Sequence, residues 1–177
     1  RLTTLLGSAG KAQSVFETIK KDAASTPFDV ASLVQANSLL IGAGVNSSQA
    51  RIDVLGLGNA IAATGGGADE LSRMAVNLQQ IKTLGKASAM DVKQFAFAGI
   101  PIYQMLAKST GKNVAELKEM DITYEQLTDS FAKASEKGGV FFKGLENQSK
   151  TVGGQISNLK DQFTFLLYDV FNQLKPA

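Results

Sequence analysis

Gly56 and Gly58 stand two apart, as in the opening of a dinucleotide-binding fingerprint, whose glycines let a backbone approach a pyrophosphate. The third glycine of that pattern is replaced by Ile61, and no strand-like run precedes it. A helix that lets a neighbour come close is the better reading. Gly85-Lys86 and Gly111-Lys112 end like a phosphate-binding loop, but neither is followed by Ser or Thr. The earlier glycine that such a loop needs is Gln80 in one case and Leu106 in the other. Both read as helix stops followed by a solvated lysine. Gly65-Gly66-Gly67 precedes a helix start, where an anion can sit. Asp69 and Glu70 already occupy that first turn and would repel one.

The residue types confirm how little chemistry is on offer. The chain contains no His, no Cys and no Trp. That excludes imidazole general bases, thiol nucleophiles, disulfides and thiolate or His-based zinc sites. Acidic residues number 16, so carboxylate pairs arise by chance. Glycoside hydrolysis needs a specific pair, and helical lytic transglycosylases typically carry a catalytic Glu followed by Ser. No Glu here precedes Ser. No catalytic residue, cofactor site or metal site is expected.

The elements must therefore carry the function as surfaces. The chain has 177 residues, 44% of them hydrophobic and 19% charged, with a net charge of +2. That is an ordinary globular composition for one domain, or a domain with an arm. The lysines are spread along the chain and do not interleave with aromatic residues, so nucleic-acid binding is not expected. Phe141-Phe142-Lys143 reads as a core contact beside a lysine that reaches for solvent. No apolar run is long enough to span a membrane. Arg1 at the start and Pro176-Ala177 at the end read as a piece of a longer protein.

The patterning predicts an all-α fold, a compact domain of short helices over residues 1–150. A helix from about Ser8 to Ala24 puts Ala12, Val15, Phe16, Ile19 and Ala23 on one face. Thr26-Pro27-Phe28 interrupts it, and Asp29 caps the next helix, with Val30, Leu33, Val34, Leu40 and Ile41 inside. Asn46 restarts the chain into a helix carrying Ile52, Leu55 and Ile61. Leu71, Met74, Leu78 and Ile81 mark a fourth helix that stops at Gly85. Ser88 with Asp91 forms a capping box ahead of Met90, Phe95 and Phe97. Pro101 opens a helix with Ile102, Tyr103, Met105 and Leu106. Asn113 with Glu116, and Thr123 with Gln126, are further capping pairs, the latter ahead of Leu127 and Phe131. Lys133 and Lys137 suit the negative end of that last helix. Strand patterning is absent, although one short hairpin among the Gly-rich joints stays open.

Residues 151–177 differ. Val152, Ile156, Leu159, Phe163, Leu166, Val170 and Leu174 are spaced near the 3.5-residue repeat of a coiled coil, over about three heptads. This predicts a longer amphipathic C-terminal helix with that stripe as its interaction seam. Two readings stay open: a terminal helix docked on its own domain, or an arm that leaves the domain or pairs with another copy.

An ordered series of short segments goes beyond these physical patterns. It runs Thr26-Pro27-Phe28, Gly44-Val45, Ala60-Ile61-Ala62-Ala63-Thr64-Gly65-Gly66, then Leu84 to Gln94, then Ala98-Gly99-Ile100-Pro101-Ile102. It closes with Gln148 to Gly154 and Ser157-Asn158-Leu159-Lys160-Asp161. In this order the segments resemble the N-terminal tape-measure domain of the tail tape-measure proteins of long-tailed bacteriophages and prophages. The likeness covers roughly Thr26 to Asp161. The matching residues are mostly glycines, prolines, caps and apolar positions, and none is a reactive group.

The resemblance implies a structural, non-enzymatic virion protein of the tail, assembled in the bacterial cytoplasm. It implies a ruler that templates tail-tube polymerisation and sets tail length. It implies tube proteins, baseplate or initiator proteins and assembly chaperones as partners, with self-association as a further possibility. A helix advances about 1.5 Å per residue, so 177 residues in one helix span about 265 Å. A chain broken into short helices is far more compact, so it reads as a folded module and not the measuring rod. The rival reading is a helical protein–protein interaction module with no ruler role. A cell-wall hydrolase lacks its Glu-Ser pair. A membrane-active segment over Phe163 to Phe171 is opposed by Asp161 and Asp169 and by the lack of a dense basic face.

Overall fold

The computed structural model describes residues 1–151, 159 and 161–166. The chain folds into α1 (Leu2–Leu6), α2 (Ala9–Ala24), α3 (Val30–Gly42), α4 (Ser47–Ala63), α5 (Ala68–Leu84), α6 (Ala89–Phe97), α7 (Ile102–Thr110), α8 (Val114–Glu119), α9 (Tyr124–Ser135) and α10 (Gly144–Ser149). A further helical segment, α11, covers 161–166. No strand forms among the described residues. Ala87 N–H donates to the Ile122 carbonyl at 2.7 Å in an isolated antiparallel bridge, which ties the entry to α6 to the entry to α9 and is not a hairpin.

The caps are local, and they form where the side chains dictate. Asp29 Oδ1 accepts from Ser32 N–H at 2.7 Å, and Asn46 Oδ1 accepts from Gln49 N–H at 2.9 Å. Ser88 with Asp91 and Thr123 with Gln126 form reciprocal capping boxes. Each supplies an acceptor to backbone donors that a helix N-terminus leaves unpaired. Asn113 accepts from Glu116 N–H at 2.8 Å, but the Glu116 carboxylate turns to Lys112 instead of completing a box.

α4 is the axis of the fold. It packs against α3, α5, α9 and α10, and Val54, Leu57, Ala60 and Ile61 are all buried. Contact on several sides explains why the apolar residues of this helix are spread around it and not confined to one stripe. Its glycines sit where neighbours press closest. A Cβ at Gly56 would lie 3.4 Å from Phe131 Cβ on α9, and one at Gly58 would lie 3.0 Å from Phe28 Cε2. Phe28, Phe95 and Phe131 are fully buried, and Phe95 meets Phe131 edge-to-face at 5.5 Å between ring centroids. On α5, Leu71, Met74, Leu78 and Ile81 all face this core.

The structure departs from the sequence reading at particular places. The chain is already helical at Leu2–Leu6, ahead of the expected start at Ser8; Gly7 in the left-handed region ends that short turn. Ile52 is 50% exposed, and α4 buries Val54 and Leu57 in its place. With several faces covered, α4 has no single stripe for a period of 3.6 to reveal. Met90 and Phe97 are exposed on α6, where Val92 and Phe95 supply the buried contacts. Asp22 and Arg51 join α2 to α4 by a two-pronged ion pair, Nε to Oδ2 and Nη2 to Oδ1, both 2.6 Å. The guanidinium fork suits this geometry, and its bonding to Asp22 pushes the Arg51 pKa up.

Candidate interaction surfaces

The glycine motifs with chemical overtones sit at helix ends and at helix contacts. Gly85 and Gly111 take positive φ, 83° and 75°, and close α5 and α7. Lys86 pairs with Asp121 at 2.8 Å and Lys112 pairs with Glu116. Asp69 and Glu70 fill the first turn of α5 after the Gly65–Gly67 run. Phe141 is buried, while Phe142 is exposed with Lys143 Nζ 5.8 Å from its ring centroid. Among the described residues no group of three or more His, Cys, Asp or Glu side chains is placed to hold a metal ion.

The surface of most interest lies at α11. Leu159, Phe163 and Leu166 are 63%, 63% and 60% exposed. The opposite side of the helix turns inward: Asp161 and Phe165 are half-buried. Successive residues of a helix are rotated by about 100°, so positions 159, 163 and 166 share one side and positions 161 and 165 the other. Phe165 faces α2, with Lys20 Nζ 4.8 Å from its ring centroid. Between α11 and the α2–α3 pair is a cleft of about 770 Å³, floored by Phe16, Val30 and Val34. The three described members of the heptad stripe thus lie together and point away from the domain. Val152, Ile156, Val170 and Leu174 lie outside the described residues. Phe165, which makes the inward contact, is no part of the heptad. Its only signal in the sequence was a bulky ring on the side otherwise read as polar.

Residues 1–171 match the family model for tape measure proteins. The chain belongs to the tape measure protein family. No curated protein and no solved structure matches it. The family match extends over the helical domain and most of the terminal segment, so it covers the exposed stripe as well. Tape measure proteins are structural components of the bacteriophage tail, which places this domain among the other tail proteins. No described helix is long and apolar enough to cross a membrane.

A buried polar group in this tape measure domain resembles an acid–base pair. Asp53 on α4 accepts from the Tyr124 hydroxyl at 2.5 Å and from Gln49 Nε2 at 2.8 Å. Burial pushes the Asp53 pKa up, opposed by those two hydrogen bonds. Burial and the adjacent carboxylate also push the Tyr124 hydroxyl well above its ordinary range. Lys82 on α5 sits 4.9 Å from the Tyr124 ring centroid and pairs with Glu125 at 2.6 Å. Both Asp53 and Tyr124 are sealed from solvent. The arrangement is a clamp between α4 and α9, with α5 closing over it. Its spacing of 71 positions along the chain hides it from any sequence motif.

Proposed function

We propose that this domain is the folded module of a tape measure chain that sets tail length and templates polymerisation of the tail tube. Residues 1–150 act as the compact unit, and residues 151–177 begin a helical arm. The family match over residues 1–171 supports the ruler reading, and the direction of the apolar stripe supports the arm. Burying Leu159, Phe163 and Leu166 against the domain would have contributed about 1.5–3 kcal/mol for each side chain, yet all three face solvent. A heptad-spaced stripe of this kind is satisfied by another helix. We assign that role to the same arm of a second copy, with Val152, Ile156, Val170 and Leu174 continuing the seam. Tube proteins, baseplate or initiator proteins and assembly chaperones are the remaining partners, met during assembly in the bacterial cytoplasm. The chemistry of the module is confined to packing and recognition, and no turnover is assigned to it.

The test is made on the parent gene in its phage. An in-frame deletion of helical sequence downstream of this domain should shorten the tail by about 1.5 Å for each residue removed, measured by electron microscopy. Tails of unchanged length would sink the ruler and leave a helical interaction module.

A further inference from the structure

α7 and α9 pack against each other with their C-terminal ends on the same side, where Lys133 Nζ donates to the Ser109 carbonyl at 2.9 Å. Along α7, beside the C-terminal half of α9 and the loop that follows it, lies a cleft of about 420 Å³. Its floor is apolar, made by Met105 and Ala134, and Val140 stands at its edge. Val140 is 60% exposed although its neighbour Phe141 is buried. The loop that presents it is fixed at both sides. Phe141 N–H donates to the Ala134 carbonyl and Gly139 N–H to the Glu136 carbonyl, both at 2.8 Å. A Cβ at Gly139 would lie 2.2 Å from the Ala134 carbonyl oxygen, so only glycine allows the loop to lie this close.

Lys108, Lys133 and Lys137 rim the cleft against one carboxylate, Glu136. Lysines at helix C-terminal ends are ordinarily explained by the negative end of the helix dipole. Lys133 answers to that, since it donates to a terminal carbonyl. Lys108, in the last turn of α7, is favoured by the dipole as well, and Lys137 lies just past the end of α9; among the described residues neither has an ion-pair partner, so both charges are left for a ligand. An apolar floor with surplus positive charge at its rim complements a segment that is apolar on one side and acidic on the other. No aromatic ring lines the cleft, so it lacks the stacking surface that single-stranded nucleic acid uses.

We propose that this cleft docks an acidic amphipathic segment of another tail protein. The inference rests on the place of the family among tail proteins and adds a contact surface separate from the terminal stripe. Its failure is distinguishable from failure of the ruler, which is read by tail length alone.

The test uses the full chain, isotopically labelled, with a single-stranded oligonucleotide and short peptides tiling this chain, the other tail proteins and the assembly chaperones of the same phage. Binding is followed by NMR shifts at Met105, Ala134 and Val140. Tiles that move these resonances should be rich in Asp and Glu and weaken with added salt. Their affinity should fall about tenfold in the double variant Lys108→Gln with Lys137→Gln, the loss expected for two rim charges. Val140→Asp should weaken the same tiles while leaving the remaining resonances in place. The proposal is overturned if no tile binds, if bound tiles carry no acidic excess, or if the lysine variant binds them equally well. Tighter binding of a single-stranded oligonucleotide at the same resonances would overturn it in favour of a nucleic-acid surface. Binding by a tile of this chain itself would overturn it in favour of a second copy.

Discussion

The Tyr124 hydroxyl donates to Asp53 Oδ2 at 2.5 Å inside the interface between α4 and α9. The two residues are sealed from water, and Gln49 supplies the second donor to the same carboxylate. A buried acceptor left short of a donor loses its hydration without full replacement. Tyr124→Phe should therefore destabilise the domain by about 1.5–3 kcal/mol. Equilibrium urea unfolding measures this, and a change well under 1 kcal/mol would show that the bond is incidental.

The same pair gives a pH dependence of definite sign. Tyr124 holds its proton above its ordinary value of 10.0, because it is buried and bonded to a carboxylate. The unfolded chain releases that proton near 10.0 and the folded chain keeps it, so this contribution to stability is intact below pH 10.0 and is lost as pH rises beyond it. Asp53 is raised from 3.8 chiefly by burial, so its contribution is fully present below pH 3.8 and falls as pH rises through the window above that value. Unfolding midpoints across both ranges test this. Tyr124→Phe should flatten the alkaline limb and Asp53→Asn the acidic one. Curves parallel to the parent would remove both assignments.

Glycine spacing in α4 makes a contrast between two neighbouring sites. At Gly58 an added methyl would lie 3.0 Å from the ring of Phe28, which is fully buried and would have to shift to admit it. Gly58→Ala should lower stability by about 1–3 kcal/mol, the usual range for overpacking. At Gly56 the nearest atom, Phe131 Cβ, is 3.4 Å away, near ordinary contact. Alanine there recovers up to about 1 kcal/mol of helix propensity, so Gly56→Ala should stay within about 1 kcal/mol of the parent. Thermal unfolding of the two variants side by side decides it. Equal loss at both sites would mean that helix propensity and packing have been wrongly weighed.

The terminal stripe separates two kinds of role. Leu159→Asp combined with Leu166→Asp alters residues that already face solvent. The thermal midpoint of the domain should therefore stay within a few tenths of a degree to a few degrees, as for surface changes of about 0.5 kcal/mol. Self-association, measured by light scattering or sedimentation, should be lost with helicity retained. Global unfolding would instead place these leucines in the core of the domain.

The sequence by itself determined the helical class, the punctuation and much of the core. Asp29, Asn46, Ser88 and Thr123 each act on a backbone donor three residues ahead, so their effect is complete within one helical turn. Leu71, Met74, Leu78 and Ile81 lie on a helix with a single buried side, which a period of 3.6 records directly. The residue types also removed imidazole and thiol chemistry before any fold existed. Tertiary structure decided whatever depends on distant partners. It chose Val54 and Leu57 over Ile52 in α4, because that helix is covered from several sides. It brought Tyr124 to Asp53 and Arg51 to Asp22 across long stretches of chain. It brought Lys108 on α7 to Lys133 and Lys137, which the sequence already placed together at another helix end. It turned Phe165 toward Lys20 and left Leu159, Phe163 and Leu166 outward, an orientation that heptad spacing cannot specify. Spacing fixes which residues share one side of a helix, but the free energy of contact with the rest of the molecule fixes where that side points.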